Sequence, residues 1–277
     1  MDTTTIKALQ DVLSVLEAKD CPTYHSAVPQ SEIREGRYLV RFARSRQELE
    51  AALKLRFEVF NLELGEGLES SHASGQDKDE FDEGCHHLVV LEMSQGRVVG
   101  TYRMQTGERS SVGKGFYSGG EFDLSLLPSG VLENSVELGR ACIAKDHRNT
   151  QVLFLLWKGI ASYVAYNQKR YLFGCCSLTS QDASEGVRVF DFLKGNGHLH
   201  ESFSVLPRQG FECLTQDQPF RSAPDVSLPK LFRIYLRFGA KVCGPPAIDR
   251  QFKTIDFFVI FDVNAMNGKA LGMFFGA

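Results

Sequence analysis

The run Val136-Glu137-Leu138-Gly139-Arg140-Ala141-Cys142-Ile143 places a carboxylate and a guanidinium three residues apart inside a segment that otherwise reads as a buried strand. Burying either charge alone costs on the order of several kcal/mol, so each must be paired or turned toward a cleft. Strand side chains alternate, which puts Glu137, Gly139, Ala141 and Ile143 on one face and Val136, Leu138, Arg140 and Cys142 on the other. Glu137 and Arg140 can face one cleft only if an extra residue is inserted between them. Gly139 is the natural place, because glycine inside a strand marks bulges and close backbone approach, and bulges collect beside active sites. The pattern therefore predicts a bulge at Gly139 and a functional site around it. An ordinary ion pair at a strand end is the competing reading.

The chain of 277 residues is 43% hydrophobic, enough for one sizeable core, and nothing in its composition forces two domains. A formal net charge of -3 argues against nucleic-acid binding, which normally shows a basic excess on one face. There is no apolar run long enough to span a bilayer and no signal-peptide pattern, so the expectation is a cytoplasmic protein, with peripheral contact at the inner membrane face kept open. The seven cysteines show no C-x-x-C spacing and read as reduced core residues. His86 and His87 point to opposite faces of a strand, and no metal site is expected.

Around the charged run, periodicity organises the chain. Ile6, Leu9, Leu13 and Leu16 recur at helical spacing, giving an N-terminal amphipathic arm over residues 1–30. Arg37 to Ala43 reads as a strand, and Ser45 caps a helix running to about Phe60. A long loop rich in glycine, serine and acids reaches Gly84. His87 to Met93 and Arg97 to Gln105, joined by Ser94-Gln95-Gly96, form an antiparallel hairpin. Beyond the Glu137 strand come a helix from about Gln151 to Gln168, a strand Tyr171 to Ser177, a mixed polar stretch, a helix near Leu228 to Phe238 and a strand Thr254 to Val263. Residues 264–277 form an apolar tail. The order implies an α/β (α+β) domain over 31–263 with a central, mostly antiparallel mixed sheet flanked by helices.

Several charges recur at telling spacings: Arg56 and Phe60 on one helix, Asp79 and Asp82 around an aromatic, Arg103 in the strand after Gly100, then Glu137 and Arg140. In this order they resemble the N-acyl-homoserine lactone synthases and the related N-acyl amino acid synthases. That resemblance implies the GNAT N-acyltransferase fold and an acyl donor carried on the phosphopantetheine of acyl carrier protein, with no separate cofactor. The motifs Leu138-Gly139-Arg140, Leu156-Trp157-Lys158-Gly159, Leu172-Phe173-Gly174-Cys175-Cys176-Ser177-Leu178, Leu236-Arg237-Phe238-Gly239-Ala240 and Gly244-Pro245-Pro246-Ala247-Ile248-Asp249 through Asp256-Phe257 are similar to those of the bacterial L-ornithine N-alpha-acyltransferases, also described as haemolysin-like GNAT proteins. This implies transfer of a fatty acyl group, 3-hydroxylated or not, to the α-amine of L-ornithine, the first step of ornithine-lipid synthesis.

Two departures bear on that reading. Many lactone synthases carry a tryptophan soon after the arginine helix, whereas the single tryptophan here is Trp157. Acetyl-CoA enzymes of this fold place glycines in an R-x-x-G-x-G/A loop so that backbone amides approach pyrophosphate. Here that stretch is Arg148-Asn149-Thr150-Gln151-Val152-Leu153, without glycine, which favours a carrier-bound phosphopantetheine.

The resemblance assigns Glu137 as general base, directly or through water, with burial raising its pKa and pairing to Arg140 opposing the rise. Amides freed near Gly139 would polarise the thioester oxygen. Arg56, Arg103 and Arg140 would hold the substrate carboxylate or organise Asp79 and Asp82, which suit a cationic amine; alternatively each arginine pins loop to sheet. Phe57, Phe60, Phe154, Phe173 and Phe257 are candidates for an acyl tunnel, though most phenylalanines belong to plain core. Lys230, Arg233 and Arg237 share the basic face of an amphipathic helix suited to an acidic carrier protein or a membrane surface. Arg148, Lys158, Lys169 and Arg170 are further docking candidates. The alternatives are a lactone or N-acyl amino acid synthase and, outside enzymes, a membrane-lytic haemolysin.

Overall fold

The computed structural model describes residues 27–213 and 226–266, with Gly268 and Gly272. The first 26 residues of the expected amphipathic arm and most of the apolar tail lie outside the described residues. The fold is a nine-stranded sheet in the order β1 (Ile33–Glu35), β2 (Tyr38–Phe42), β3 (His86–Glu92), β4 (Arg97–Thr106), β5 (Ser135–Ile143), β6 (Tyr171–Leu178), β9 (Thr254–Asp262), β7 (Lys241–Val242), with β8 (Ala247–Asp249) also paired to β9. All pairings are antiparallel except β5 with β6. This is the mixed, mostly antiparallel sheet expected from the sequence.

Helices cover both faces. Helix α1 (Arg46–Phe57) starts at Ser45, whose hydroxyl accepts from Glu48 N, and continues into a π-helical turn over Glu58–Glu63 that carries Phe60. Such turns recur at functional sites. Helix α2 (Thr150–Tyr166) starts at Asn149, whose side chain accepts from Val152 N, and buries a stripe that includes Val152, Leu155, Leu156, Ile160 and Tyr163. On β4, Gly100 faces Val152 and Leu156 of α2, whereas Arg103 points to the opposite side and joins a charged cluster with Arg56 of α1. β3 is buried along its whole length as a result.

Besides the short helices Ser71–Ser74, Gly107–Val112 and Ser129–Glu133, one longer helix escaped the sequence reading. Within the mixed polar stretch, α3 (Ala183–Gly195) is capped by Asp182 and buries only Gly186, Val189 and Leu193. Those positions follow helical spacing, but the intervening serine, glycine and charged residues dilute the signal. The expected C-terminal helix is present as α4 (Lys230–Arg237).

The predicted bulge exists, displaced by one residue. Arg103 pairs with Gly139 and Thr101 with Cys142, so Arg140 and Ala141 together oppose Tyr102 alone. The strained residue is Arg140, at φ 50°, not Gly139. A non-glycine residue in this region costs about 1–3 kcal/mol; the ion pairs made by the Arg140 guanidinium offset it. Gly139 serves a different purpose, since a Cβ there would meet open space.

β5 and β6 pair only from Ser135 to Glu137 opposite Tyr171 to Phe173, and beyond that point β6 runs with β9 while β5 runs with β4. The two parallel strands splay apart. At the apex a Cβ on Gly174 would lie 2.1 Å from the Leu138 carbonyl oxygen, so only glycine allows this approach. The opening left by the splay becomes a cavity.

Candidate active site

A cavity of about 350 Å³ occupies the splay, walled by Glu137 to Ala141 of β5, Leu172 to Ser177 of β6 and Tyr102 to Gln105 of β4. Leu231, Phe232 and Tyr235 of α4 roof it, and Trp157, Phe60, Phe173, Phe252 and Phe261 make most of its lining apolar. Of the phenylalanines singled out from sequence, Phe60 and Phe173 line the cavity, while Phe57, Phe154 and Phe257 lie elsewhere.

Beside it lies a closed ring of six alternating charges. Arg56 reaches Asp77 (Nε, 2.7 Å) and Asp82 (Nη1, 2.7 Å); Arg103 reaches Asp82 (3.2 Å) and Asp79 (2.5 Å); Arg140 reaches Asp79 (3.1 Å) and Asp77 (3.2 Å). Each arginine bridges two aspartates and each aspartate two arginines. Three positive and three negative charges cancel, as burial demands. Burial works to raise the Asp82 carboxyl, but Arg56 and Arg103 outweigh it and hold its pKa far below the usual carboxylate range. Burial is likewise overcome at Asp79, by Arg103 and Arg140. His87 donates through Nε2–H to the Asp82 carbonyl (2.9 Å), and burial pushes its pKa down to about 4.

Of the ring, Arg103 and Arg140 line the cavity, while Arg56, Asp77, Asp79 and Asp82 stand behind them. Tyr117 lies across both guanidiniums, at 5.1 Å from Arg103 and 4.7 Å from Arg140, and Phe252 covers the other side of Arg140 at 4.2 Å. The expected pairing of Arg140 with Glu137 is replaced by its ties to Asp77 and Asp79.

Glu137 lines the same cavity and takes four hydrogen bonds. Oε1 accepts from Ser118 N (2.7 Å) and Ser118 Oγ (2.7 Å); Oε2 accepts from Gln105 Nε2 (2.7 Å) and Tyr117 N (2.9 Å). A carboxylate has about four acceptor sites, and all are filled. Glu137 thus anchors the segment that carries Tyr117 and Ser118, and Ser118, whose hydroxyl is bonded to it, also lines the cavity.

A second acidic group borders the cavity away from the ring. Asp256 of β9 lies against Glu121 and Cys175, their donor atoms all within 4.8 Å of one another. Burial, reinforced by Glu121 and Asp256, pushes the Cys175 thiol well up, so it is not a thiolate nucleophile. Two carboxylates and a thiol form the one donor set among the described residues compact enough for a cation. Glu66 also lines the cavity, its carboxylate accepting from the Thr179 hydroxyl, with burial raising its pKa.

Residues 55–158 match the acetyltransferase (GNAT) domain. Over nearly its full length the chain is similar to L-ornithine N(alpha)-acyltransferases: 31% identical to that of Brucella abortus, covering 88% of this chain and 90% of the relative, and 32% identical to that of Rhodobacter capsulatus, covering 84% and 92%. The chain belongs to the L-ornithine N(alpha)-acyltransferase family. In this acyltransferase the overall fold is that of the AHL synthase LasI (TM-score 0.50, 13% identity, 88% of this chain and 97% of that one). It is equally that of FeeM, an N-acyl amino acid synthase from uncultured soil microbes (TM-score 0.50, 11% identity, 86% and 99%).

The basic residues of the acyltransferase separate into two groups. Arg148 makes a bidentate pair with Glu63 (2.6 and 2.7 Å), Lys158 pairs with Glu35 (2.7 Å), Arg170 with Asp262 (2.7 Å) and Lys169 with Glu108. Lys230, Arg233 and Arg237 are exposed on α4 and have no acidic partner among the described residues. None of the described helices is long and apolar enough to cross a membrane.

Sequence reasoning missed Asp77, Gln105, Tyr117, Ser118, Glu121 and Asp256. Asp77 stands in the same acidic loop as Asp79, and its signal was there to read. Asp256 interrupts the apolar run Thr254-Ile255-Asp256-Phe257-Phe258, the same anomaly that singled out Glu137. Tyr117, Ser118 and Glu121 come from a glycine-rich segment whose placement has no periodic signature.

Proposed function

We propose that this chain moves a fatty acyl group from acyl carrier protein to the α-amine of L-ornithine. The observation that carries the reading is the cavity itself: an apolar chamber at the β5/β6 splay ends against the Arg140 bulge, so a thioester tail and a charged amino acid can meet at one strand edge. A bulge leaves one residue without its ladder partner. An amide at Arg140 or Ala141 is therefore available to polarise the thioester oxygen, a contribution worth roughly 3–4 kcal/mol per donor elsewhere. Arg140 and Arg103 present positive charge to the substrate carboxylate, with Arg103 Nη2 buried and lacking an acceptor.

Deprotonation of the amine is assigned to Glu137 acting through Ser118. As the amine nitrogen bonds to the thioester carbon, its proton passes to Ser118 Oγ while the Ser118 proton passes to Glu137 Oε1, along the existing 2.7 Å hydrogen bond. The carbon–sulfur bond then breaks, and the thiolate leaves with little need of an acid, since such thiols ionise near pH ~8.5.

Two features support a carrier protein over coenzyme A as donor. At the start of α2, where acetyl-CoA enzymes offer free amides to pyrophosphate, Asn149 Oδ1 already takes Val152 N and Arg148 is held by Glu63. The helix α4 that roofs the cavity with Leu231, Phe232 and Tyr235 also carries the exposed Lys230, Arg233 and Arg237, where an acidic carrier could deliver its prosthetic arm. The test is mass spectrometry of products from acyl carrier protein or acyl-CoA thioesters offered with ornithine, lysine, glycine or S-adenosylmethionine. N-acyl-ornithine formed faster from the carrier protein is expected; a lactone product, or lysis of membranes without any acyl donor, overturns the reading.

A further inference from the structure

The six-membered ring accounts for Arg56, Arg103 and Arg140 with three aspartates, leaving no cation for the second acidic group. Glu121 and Asp256 are 4% and 3% exposed. Neither forms an ion pair among the described residues, and Arg140, whose charge acts on Glu121, is committed to Asp77 and Asp79. Asp256 Oδ2 accepts from Thr254 Oγ1 (3.2 Å), with Ser177 also close, yet Oδ1 has no donor, and both oxygens of Glu121 lack one. Asp256 lines the cavity, so its unfilled acceptor is presented to whatever occupies that space. Burial raises the pKa of both carboxyls; repulsion from Asp256 and Asp249 adds to it at Glu121, whereas at Asp256 hydrogen bonds from Ser177 and Glu121 oppose it, and an empty pair keeps one proton between the two.

We propose that Glu121 and Asp256, with Glu66 beside them, form the site that recognises the second ammonium group of a diamino-acid substrate. An acyl chain gains nothing from a corner lined with carboxylates, whereas an alkylammonium supplies the donors and the charge that the pair lacks. The cavity then has opposite polarity at its two polar borders: Arg140 and Arg103 for the α-carboxylate, the acid pair for the distal amine. Thr254 and Ser177 hold Asp256 in place, and β8 contributes Asp249 nearby, whose Oδ1 accepts from Gln251 N and Phe252 N. The assignment rests on reading this cavity as a diamino-acid N-acyltransferase site.

The experiment compares ornithine with norvaline, the same carbon skeleton without the distal amine, in wild type, Asp256→Asn and Glu121→Gln. Both replacements keep shape and hydrogen bonding, and far-UV circular dichroism with thermal melting checks that each folds. In the wild type kcat/KM should favour ornithine, and in either variant the ratio should fall by about 10- to 100-fold, through KM for ornithine. Calorimetric binding of both amino acids without acyl donor gives a readout independent of turnover. A folded variant that keeps the wild-type ratio overturns the proposal while the functional reading stands. If no acyl transfer occurs to either amino acid but calorimetry still shows ornithine preferred and the preference lost in the variants, the functional reading fails and the site survives. Stoichiometric retention of a divalent metal by wild type and not by Asp256→Asn would make the cluster a metal site and overturn the proposal.

Discussion

Arg140 Nη2 lies 3.1 Å from Asp79 Oδ2, tying the bulged strand of the cavity to the acidic loop between α1 and β3. Because Arg140 also reaches Asp77, its planar guanidinium spans two loop carboxylates from a single backbone position at φ 50°. The strand edge that lines the cavity and the acidic loop are thereby tied together, with Arg56 and Arg103 closing the ring behind them.

Replacing Arg140 by alanine leaves two buried carboxylates short of a cation, a change that costs about 3–5 kcal/mol. Arg140→Lys should recover little of this, since one ammonium cannot reproduce the fork across Asp77 and Asp79. Equilibrium urea unfolding should give a midpoint for the lysine variant close to that of the alanine variant. A lysine variant as stable as wild type would show that the double bridge is unimportant.

Glu137→Gln replaces an acceptor by an amide that must confront a donor, since all four sites are filled, and removes the group assigned to accept the amine proton. Single-turnover acyl transfer should slow by about 100-fold or more. Ser118→Ala, which breaks the relay but keeps the backbone anchor, should slow the same step with little loss of stability. Full-rate transfer by the glutamine variant would remove Glu137 from the chemistry.

The two glycines of the splay should respond oppositely to alanine. At Gly174 the new Cβ meets the Leu138 carbonyl at 2.1 Å, and spreading the strands should destabilise the fold by about 1–3 kcal/mol. At Gly139 the Cβ enters open space, so the melting temperature should hold while the altered cavity wall changes the preferred acyl chain. Thermal melts and a chain-length series of donors distinguish the two.

His87 is buried with its pKa pushed from 6.5 down to about 4, so the unfolded chain takes up a proton at a higher pH than the folded one. Its contribution to stability is therefore full above pH 6.5 and is lost as the pH falls toward 4, up to about 3 kcal/mol from the shift. Asp79 and Asp82, whose folded pKa values are depressed, add their loss only at lower pH, as the unfolded carboxylates protonate. Urea midpoints across this range should fall for wild type and stay flatter for His87→Gln.

The elements with strong local signals were legible in advance: the hairpin of β3 and β4, the capped helices α1 and α2, and the charged strand β5. Their periodicity and caps depend on neighbours within a few residues, and the family pattern extended them to the fold. The bulge was foreseen from the Glu137 and Arg140 spacing but assigned to Gly139, because glycine inside a strand marks bulges and close backbone approach. In the fold the residue at positive φ is Arg140, whose guanidinium pairs with distant Asp77 and Asp79.

What the sequence by itself determined is the inventory of strands and helices, the presence of charges too costly to bury alone, and the family to which they belong. Only the tertiary structure decided which charges meet: that three arginines close a ring with three aspartates, that Glu137 is held by Gln105, Tyr117 and Ser118, and that Glu121 and Asp256 have no cation paired to them among the described residues. Secondary structure follows from interactions a few residues apart along the chain, whereas charge pairing is set by distances across the fold, between residues as far separated as Glu121 and Asp256, which no local pattern encodes.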